Sequence, residues 1–356
     1  MLTSDFNFEL PPELIAQQPT PQRDQSRLLV LNRETGTISH RQFPDVLEYL
    51  RSGDVLVLNN SRVIPARLRG QNSKSGGNFE VLLLTEKSVN NWWAMIKPGK
   101  RAQLGTEIKI LDLQRSPTAI IATVAEINAE GHRRLIFRGV ENILSALDAL
   151  GEIPLPPYIE REVQKQEDRE RYQTVYAESA GSVAAPTAGL HLTPEILEKI
   201  KARGVKICFV TLHVGLGTFS PVKAETLAEH VMHEERFFVP ESTAEIIQAA
   251  KNNNQRVIAV GTTSMRVLES VAKENNGHII AGSGTTSIFI FPPYQFKIVD
   301  AMVTNFHLPC STLLMLISAF AAPEKLEGKD AVMRAYEEAI CEKYRFFSYG
   351  DAMLIS

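Results

Sequence analysis

Apolar and polar positions divide the chain into two regimes. Six short β-rich runs, at 66–70, 79–85, 92–96, 106–111, 119–127 and 133–137, follow one another with no helical pattern between them. Turn formers separate them, among them Ser75-Gly-Gly-Asn78, Lys97-Pro-Gly99 and Glu130-Gly131. Even spacing of this kind predicts a small antiparallel barrel. A helix over 141–150 follows, stopped by Gly151 and by Pro154, Pro156 and Pro157.

Beyond Tyr158 strands and helices alternate. Thr193-Pro194-Glu195 starts a helix with a cap, a proline at its first position and an early acid, and Gly204 ends it. Buried-strand runs are expected at 205–212, 256–260, 288–291 and 298–303, with helices at 242–251, 264–273, 312–320 and 327–344. The apolar run 54–58 is expected to join the same sheet. This pattern predicts an α/β domain with a largely parallel sheet, interrupted by an inserted small antiparallel β-barrel domain. The boundaries read as 1–64 plus 151–356 for the α/β part and 65–150 for the barrel with its trailing helix.

Composition narrows the class. At 356 residues, 44% hydrophobic and 22% charged, the chain has apolar mass for a large core and is not a disordered regulator. The longest apolar run, 313–323, is about half a membrane span, and Met1-Leu-Thr-Ser-Asp5 has no secretory pattern. Three scattered cysteines make neither a disulfide framework nor a thiolate metal site. A cytoplasmic protein is expected. Net charge is −3, yet residues 65–140 hold 12 Lys or Arg against 6 Asp or Glu. Solvated loops and a phosphate-binding surface are both open readings of that bias, with Arg62, Arg67, Arg69 and Arg101 among the cations concerned.

In open α/β sheets ligands gather at the carboxyl ends of strands. Three such ends carry polar residues: His213-Val-Gly-Leu-Gly-Thr-Phe219, Gly261-Thr-Thr-Ser264 and Thr304-Asn-Phe-His307. Helix starts there offer unpaired amides to a carboxylate or phosphate, although Thr and Ser before a helix also serve as plain caps. Gly215 and Gly217 complete no dinucleotide fingerprint, and neither a nucleophile elbow nor a Walker loop is present. His230 and His233 have metal-compatible spacing but no third ligand nearby in sequence. The aromatic residues Tyr344, Phe346, Phe347 and Tyr349 read as a docked terminal segment rather than a stacking platform. Pattern alone reaches a soluble α/β enzyme.

Several motifs carry more. They are Asn59-Asn-Ser-Arg-Val-Ile-Pro-Ala-Arg-Leu68, Pro154-Leu-Pro-Pro-Tyr-Ile159, Tyr172-Gln-Thr-Val-Tyr-Ala177 and Ala184-Ala-Pro-Thr-Ala-Gly-Leu-His191. Thr211-Leu-His-Val-Gly-Leu-Gly-Thr-Phe219, Val260-Gly-Thr-Thr-Ser264, Thr304-Asn-Phe-His-Leu-Pro309 and Tyr344-Arg-Phe-Phe-Ser-Tyr-Gly-Asp-Ala-Met353 complete the set. Together, from Phe6 to the C-terminus, they resemble the S-adenosylmethionine:tRNA ribosyltransferase-isomerase family of queuosine biosynthesis. Two positions depart from the family pattern: Pro293 where it has glycine, and Cys310 where a polar or charged residue is expected.

The resemblance implies transfer and isomerisation of the ribosyl group of S-adenosylmethionine onto 7-aminomethyl-7-deazaguanine at the tRNA wobble position. Epoxyqueuosine forms, and adenine and methionine leave. It implies no metal or redox cofactor, the sulfonium compound being a consumed substrate, and no membrane partner; a monomer is the working expectation. Such chemistry needs a base for the amine and for the carbon beside sulfur, and an acid near adenine. His213 and His307 are the candidate pair, with Asp300 in reserve. Gly215, Gly217, Thr218, Thr262, Thr263, Ser264 and Asn305 are candidate substrate contacts, and Phe219 or Phe306 a candidate sulfonium neighbour. Arg62, Arg67, Arg69, Arg101 and Arg345 are the candidate tRNA contacts. Two rival readings are a methyltransferase using the same donor, which the missing glycine-rich loop opposes, and a non-catalytic tRNA-binding protein.

Overall fold

The computed structural model describes residues 1–161, 166–215, 222 and 224–356. Strands β1 (Arg27–Leu31) and β2 (Ile38–Gln42) precede β3 (Val55–Asn59) and the short β4 (Ser61–Val63). The chain then enters β5 (Arg67–Asn72), β6 (Asn78–Ser88), β7 (Asn91–Lys97), β8 (Glu107–Leu111), β9 (Pro117–Ile127) and β10 (Arg133–Arg138), which close into a barrel in the order β10-β7-β6-β5-β8-β9. Every pairing in it is antiparallel. Inward-facing Leu68, Val81, Ala94, Ile108, Ala122 and Leu135 fill it, because side chains alternate along each strand.

Helix α1 (Ile143–Leu150) adds Ile143, Leu147 and Leu150 to the barrel core, its start capped by the Asn142 side chain. The segments leading into and out of the barrel then meet: Arg67 and Glu152 exchange backbone hydrogen bonds of 3.1 and 2.8 Å. A Cβ on Gly151 would lie 1.8 Å from the Pro65 carbonyl oxygen, so only glycine permits this crossing.

The remaining elements are α2 (Gln166–Arg171), β11 (Ser179–Ser182), α3 (Pro194–Ala202), β12 (Lys206–Leu212), β13 (Glu235–Val239) and α4 (Glu241–Asn252). They continue with β14 (Val257–Val260), α5 (Gly261–Glu274), β15 (Gly282–Thr286), β16 (Ala301–Asn305), α6 (Thr312–Ala321), α7 (Gly328–Cys341) and β17 (Ala352–Ile355). Nine strands form one sheet, β15-β13-β12-β3-β14-β16-β17-β1-β2. Its centre, β12-β3-β14-β16, is parallel. β17 runs against β16 and carries β1 parallel to itself, and both edges are antiparallel. Central strands are buried on both faces: Val55 and Val57 join one core, Leu56 and Leu58 the other.

The architecture expected from the pattern is present, with differences in detail. Residues 288–291 are not a strand; Ile288 and Ile290 are buried without joining the ladder, and Pro292 and Pro293 lack the donors to extend one. The strand expected at 298–303 starts only at Ala301, and α5 starts at Gly261 rather than 264. Tyr344 and Phe346 are fully buried, so the terminal aromatic segment is core. Among the described residues no helix is long and apolar enough to cross a membrane, and no group of three His, Cys, Asp or Glu is placed to hold a metal.

Candidate active site

The carboxyl ends of the central strands are first locked together. Asn59 Oδ1 accepts the amides of Ser61 (3.0 Å) and Leu212 (3.1 Å), while its Nδ2 donates to the Leu212 carbonyl (3.1 Å). Asn60 Oδ1 accepts from Thr211 Oγ1 at 2.7 Å. The paired asparagines thus tie β3 to β12 where the parallel strands end.

A partly open cleft lies at this end of the sheet. One wall is the start of α5, with Gly261, Thr262 and Thr263; the other is the end of β16, with Thr304, Asn305 and His307. The segment 185–188, Val214, Tyr158, Phe347 and Ser348 complete it. Helix α5 opens directly from β14 at Gly261, whose φ of +86° suits glycine, and no side chain caps it. Its first amides therefore lack intrahelical partners. Thr263 is 6% exposed, and its hydroxyl is buried without a hydrogen-bond partner. Ser264, by contrast, donates back to the Val260 carbonyl at 2.9 Å, so its hydroxyl proton is taken up inside the helix, and the residue does not line the cleft.

On the β16 side, His307 Nε2 lies 2.8 Å from Thr304 Oγ1, and the His307 amide donates to the Tyr336 hydroxyl at 2.8 Å. The Thr304 hydroxyl also lies 3.4 Å from the Asn305 carbonyl, and it meets Nε2 as donor or acceptor according to the tautomer of the ring. Burial drives the His307 pKa down to about 3, so the ring is neutral at physiological pH. Asn305 Nδ2 donates to His191 Nε2 (3.1 Å) and to the Phe347 carbonyl (3.3 Å). That leaves Asn305 Oδ1 buried with no partner. His191, behind it, is pushed to about 3 by burial and by the charges of Arg345 and Arg23, and holds Ser26 Oγ at 2.7 Å through Nδ1.

Several expected site residues stand elsewhere. His213 is not on the cleft wall: the next residue, Val214, faces the cleft, while the imidazole lies over the backbone of Gly181 and 3.4 Å from Ser61 Oγ. The structure therefore does not pair His213 with His307 in this cleft. Asp300 precedes β16 and so sits at the opposite end of the sheet, where it binds Lys251 Nζ (3.1 Å to both oxygens) and the Val257 amide (2.8 Å). It is a structural ion pair. Phe306 is packed among Tyr336, Tyr344 and Phe346, at centroid distances of 5.3, 5.6 and 4.9 Å, so its ring is not available to a sulfonium. Gly215 gives its amide to Glu235 Oε1 at 2.9 Å. Gly217, Thr218 and Phe219 lie outside the described residues.

The barrel arginines are largely engaged. Arg69 binds Glu80 (2.5 Å) and Glu152 (2.8 Å), and Arg67 donates to the Leu155 carbonyl (3.3 Å) and lies 3.9 Å from Glu80. Arg133 staples the carbonyls of Gly99 (2.6 Å) and Ala102 (3.2 Å), while Arg134 and Arg138 each bind a glutamate at 2.7 Å. Arg345 donates to the Gln18 carbonyl. Arg62 and Arg101 have no ion-pair partner among the described residues, and both are exposed. Tyr158, Thr187, Phe347 and His191 were missed as site residues, although each stands in a motif quoted above; only the tertiary fold separates them from their neighbours in those motifs.

The family model described as queuosine biosynthesis protein matches residues 3–355. The chain is also similar to a solved structure, the S-adenosylmethionine tRNA ribosyltransferase of Thermotoga maritima. Identity to it is 39% over 99% of this chain and 100% of that one, with a TM-score of 0.55. This chain belongs to the queuosine biosynthesis protein family.

Proposed function

We propose that this protein is an S-adenosylmethionine:tRNA ribosyltransferase-isomerase, moving the ribosyl group of that donor onto 7-aminomethyl-7-deazaguanine in tRNA. The observation that carries the reading is one cleft in which a neutral imidazole, a helix start with unpartnered amides, and two unpartnered side-chain oxygens converge. These are His307, Gly261 to Thr263, and the buried oxygens of Thr263 and Asn305. The helix start suits the methionine carboxylate of the donor. Asn305 Oδ1 can only accept, which suits an amine or ammonium group. His307, a neutral imidazole on the cleft wall beside Thr304, is placed to hydrogen-bond the reacting groups and to relay a proton released from the attacking amine or from the carbon beside the sulfonium.

The test is mass spectrometry of nucleosides from an anticodon stem-loop carrying the aminomethyl-deazaguanine base, after incubation with ribose-labelled S-adenosylmethionine. Labelled epoxyqueuosine with free adenine and methionine is expected. A methylated base, or tight binding without donor consumption, overturns the reading. In the same assay His307→Gln lowers turnover about 10²–10⁴-fold, the usual worth of a positioned acid–base group. Donor affinity stays within a few-fold by calorimetry. Full turnover would remove His307 from the mechanism.

A further inference from the structure

Beyond Ser348, which lines both, a second, small and partly open cavity adjoins the cleft, with His191 in its wall. Arg23 and Arg171 line it, with Thr20 and Tyr349. Among the described residues each guanidinium donates to backbone carbonyls alone. Arg23 reaches Leu190 (3.3 Å) and Glu170 (2.8 Å), and Arg171 reaches Pro21 (3.1 Å) and Thr20 (2.6 Å). A guanidinium carries five N–H donors, so more than half of each set remains. Arg171 Nε is itself buried without an acceptor.

Carbonyls satisfy hydrogen bonds but leave the charges uncompensated. Among the described residues neither guanidinium has a carboxylate at ion-pairing distance, and the two cations repel each other. The surrounding acids are largely committed. Asp168 binds Arg161 and the Tyr349 hydroxyl, and Asp351 accepts the amides of Arg27 and Arg345. Glu170 contributes only a weak field at Arg23. The barrel shows the contrasting arrangement, in which most arginines face glutamates. Paired planar donors without a counter-charge fit a phosphate group, which takes bidentate guanidinium contacts.

We propose that Arg23 and Arg171 hold a phosphodiester of the RNA substrate in this cavity while the reacting nucleotide occupies the adjoining cleft. This rests on the reading above that the substrate is a tRNA. The experiment measures the affinity of the intact protein for an anticodon stem-loop RNA as a function of salt. Arg23→Gln and Arg171→Gln each weaken binding about tenfold at low salt and make the salt slope shallower by about 1, as loss of one phosphate contact requires. Affinity for S-adenosylmethionine stays unchanged.

Arg171→Lys separates charge from stapling, since it keeps the cation and loses the forked contacts to Thr20 and Pro21. Recovery of the slope by lysine supports the proposal. A slope unchanged in both Gln variants, or Gln and Lys variants equally weak at wild-type slope, overturns it and leaves the arginines as loop staples. Inorganic phosphate distinguishes the remaining source: competition with the RNA in wild type but not in the Gln variants supports a shared site. Phosphate that binds there without displacing RNA overturns it. Wild-type protein that binds no stem-loop overturns both this proposal and the tRNA reading. An RNA-binding protein with unaltered variants overturns this one alone.

Discussion

Asn305 Nδ2 stands 3.1 Å from His191 Nε2 and 3.3 Å from the Phe347 carbonyl. The carbonyl can only accept, so it is this neighbour that fixes which way the Asn305 amide faces, while the imidazole adapts through its tautomer. Its oxygen is thereby presented as a buried acceptor with no protein partner. Substituting Asn305 with Ala should lower kcat/KM about 10–100-fold, the worth of one hydrogen bond to a charged group. Steady-state kinetics with each substrate varied in turn check this. Unchanged kinetics would show that the oxygen meets no ligand.

Thr263 offers a cleaner separation of binding from folding. Its hydroxyl is buried and unpartnered, so replacing it by a methyl group of the same shape removes a desolvated dipole and no hydrogen bond. Thr263→Val should leave Tm unchanged or raise it, while raising the apparent KM for S-adenosylmethionine more than that for tRNA. A lower Tm with both KM values unchanged would mark Thr263 as a structural residue.

What the sequence disclosed follows from which forces are local. The runs 205–212 and 256–260 are apolar because their strands are buried on both faces, and the barrel strands are punctuated by turns that only local chemistry sets. Thr193 does cap α3, accepting the Ile196 amide at 3.2 Å, and Gly204 has the left-handed φ of +78° that ends it. Edge strands were silent. β2 reads Ile-Ser-His-Arg-Gln and β15 reads Gly-Ser-Gly-Thr-Thr, with no apolar period, because their neighbours in the sheet supply the pairing. Site residues follow the same division. His307 and Thr263 could be picked out because strand ends are visible in a sequence. His213 could not be told from them, because the face a residue takes after a strand depends on one step of alternation. Asp300 was placed wrongly by the three-residue difference in where β16 begins. Arg23 and Arg171 meet only through the fold.

The ion pairs of the barrel yield a prediction about stability. Arg69 reaches Glu152 through two nitrogens, at 2.8 and 3.3 Å, and Glu80 through a third, while Arg115 shares Glu152 at 2.8 Å. Although burial alone would raise it, the Glu152 pKa is lowered by Arg69 first and then by Arg115 and Arg67. Removing Arg69 leaves Glu152 to Arg115 alone and Glu80 to the more distant Arg67, beside the junction where the chain enters and leaves the barrel. Arg69→Ala should cost about 1–3 kcal/mol in urea unfolding, whereas Arg101→Ala on the exposed surface should stay within about 0.5 kcal/mol. Equal costs would contradict the assignment of Arg69 to structure.

Two imidazoles, His191 enclosed in the core and His307 half-buried on the cleft wall, make stability fall with acidity well above the carboxylate range. His191 and His307 are both lowered to about 3 in the folded protein, against 6.5 for the free side chain. Between those values the unfolded chain binds protons that the folded chain refuses, so folding weakens as pH falls from about 6.5 toward 3. Each such imidazole contributes at most about 1.4 kcal/mol per pH unit, reached only where the unfolded ring is fully protonated and the folded ring is not. His132, His213 and His230 are lowered as well and act in the same direction. Glu269 and Asp351 are raised by burial and oppose the trend, because they take up protons more readily when folded. Measurements between pH 7 and 5 lie above the ordinary carboxylate range, and comparison with His191→Gln separates that histidine from the opposing pull of Glu269 and Asp351. The urea midpoint should drop steadily over that interval, and His191→Gln should remove about one histidine's share of the slope even if it lowers stability at pH 7. A midpoint that stays flat, or a slope unaltered by His191→Gln, would show that the imidazole is not held neutral by burial between Ser26 and Asn305.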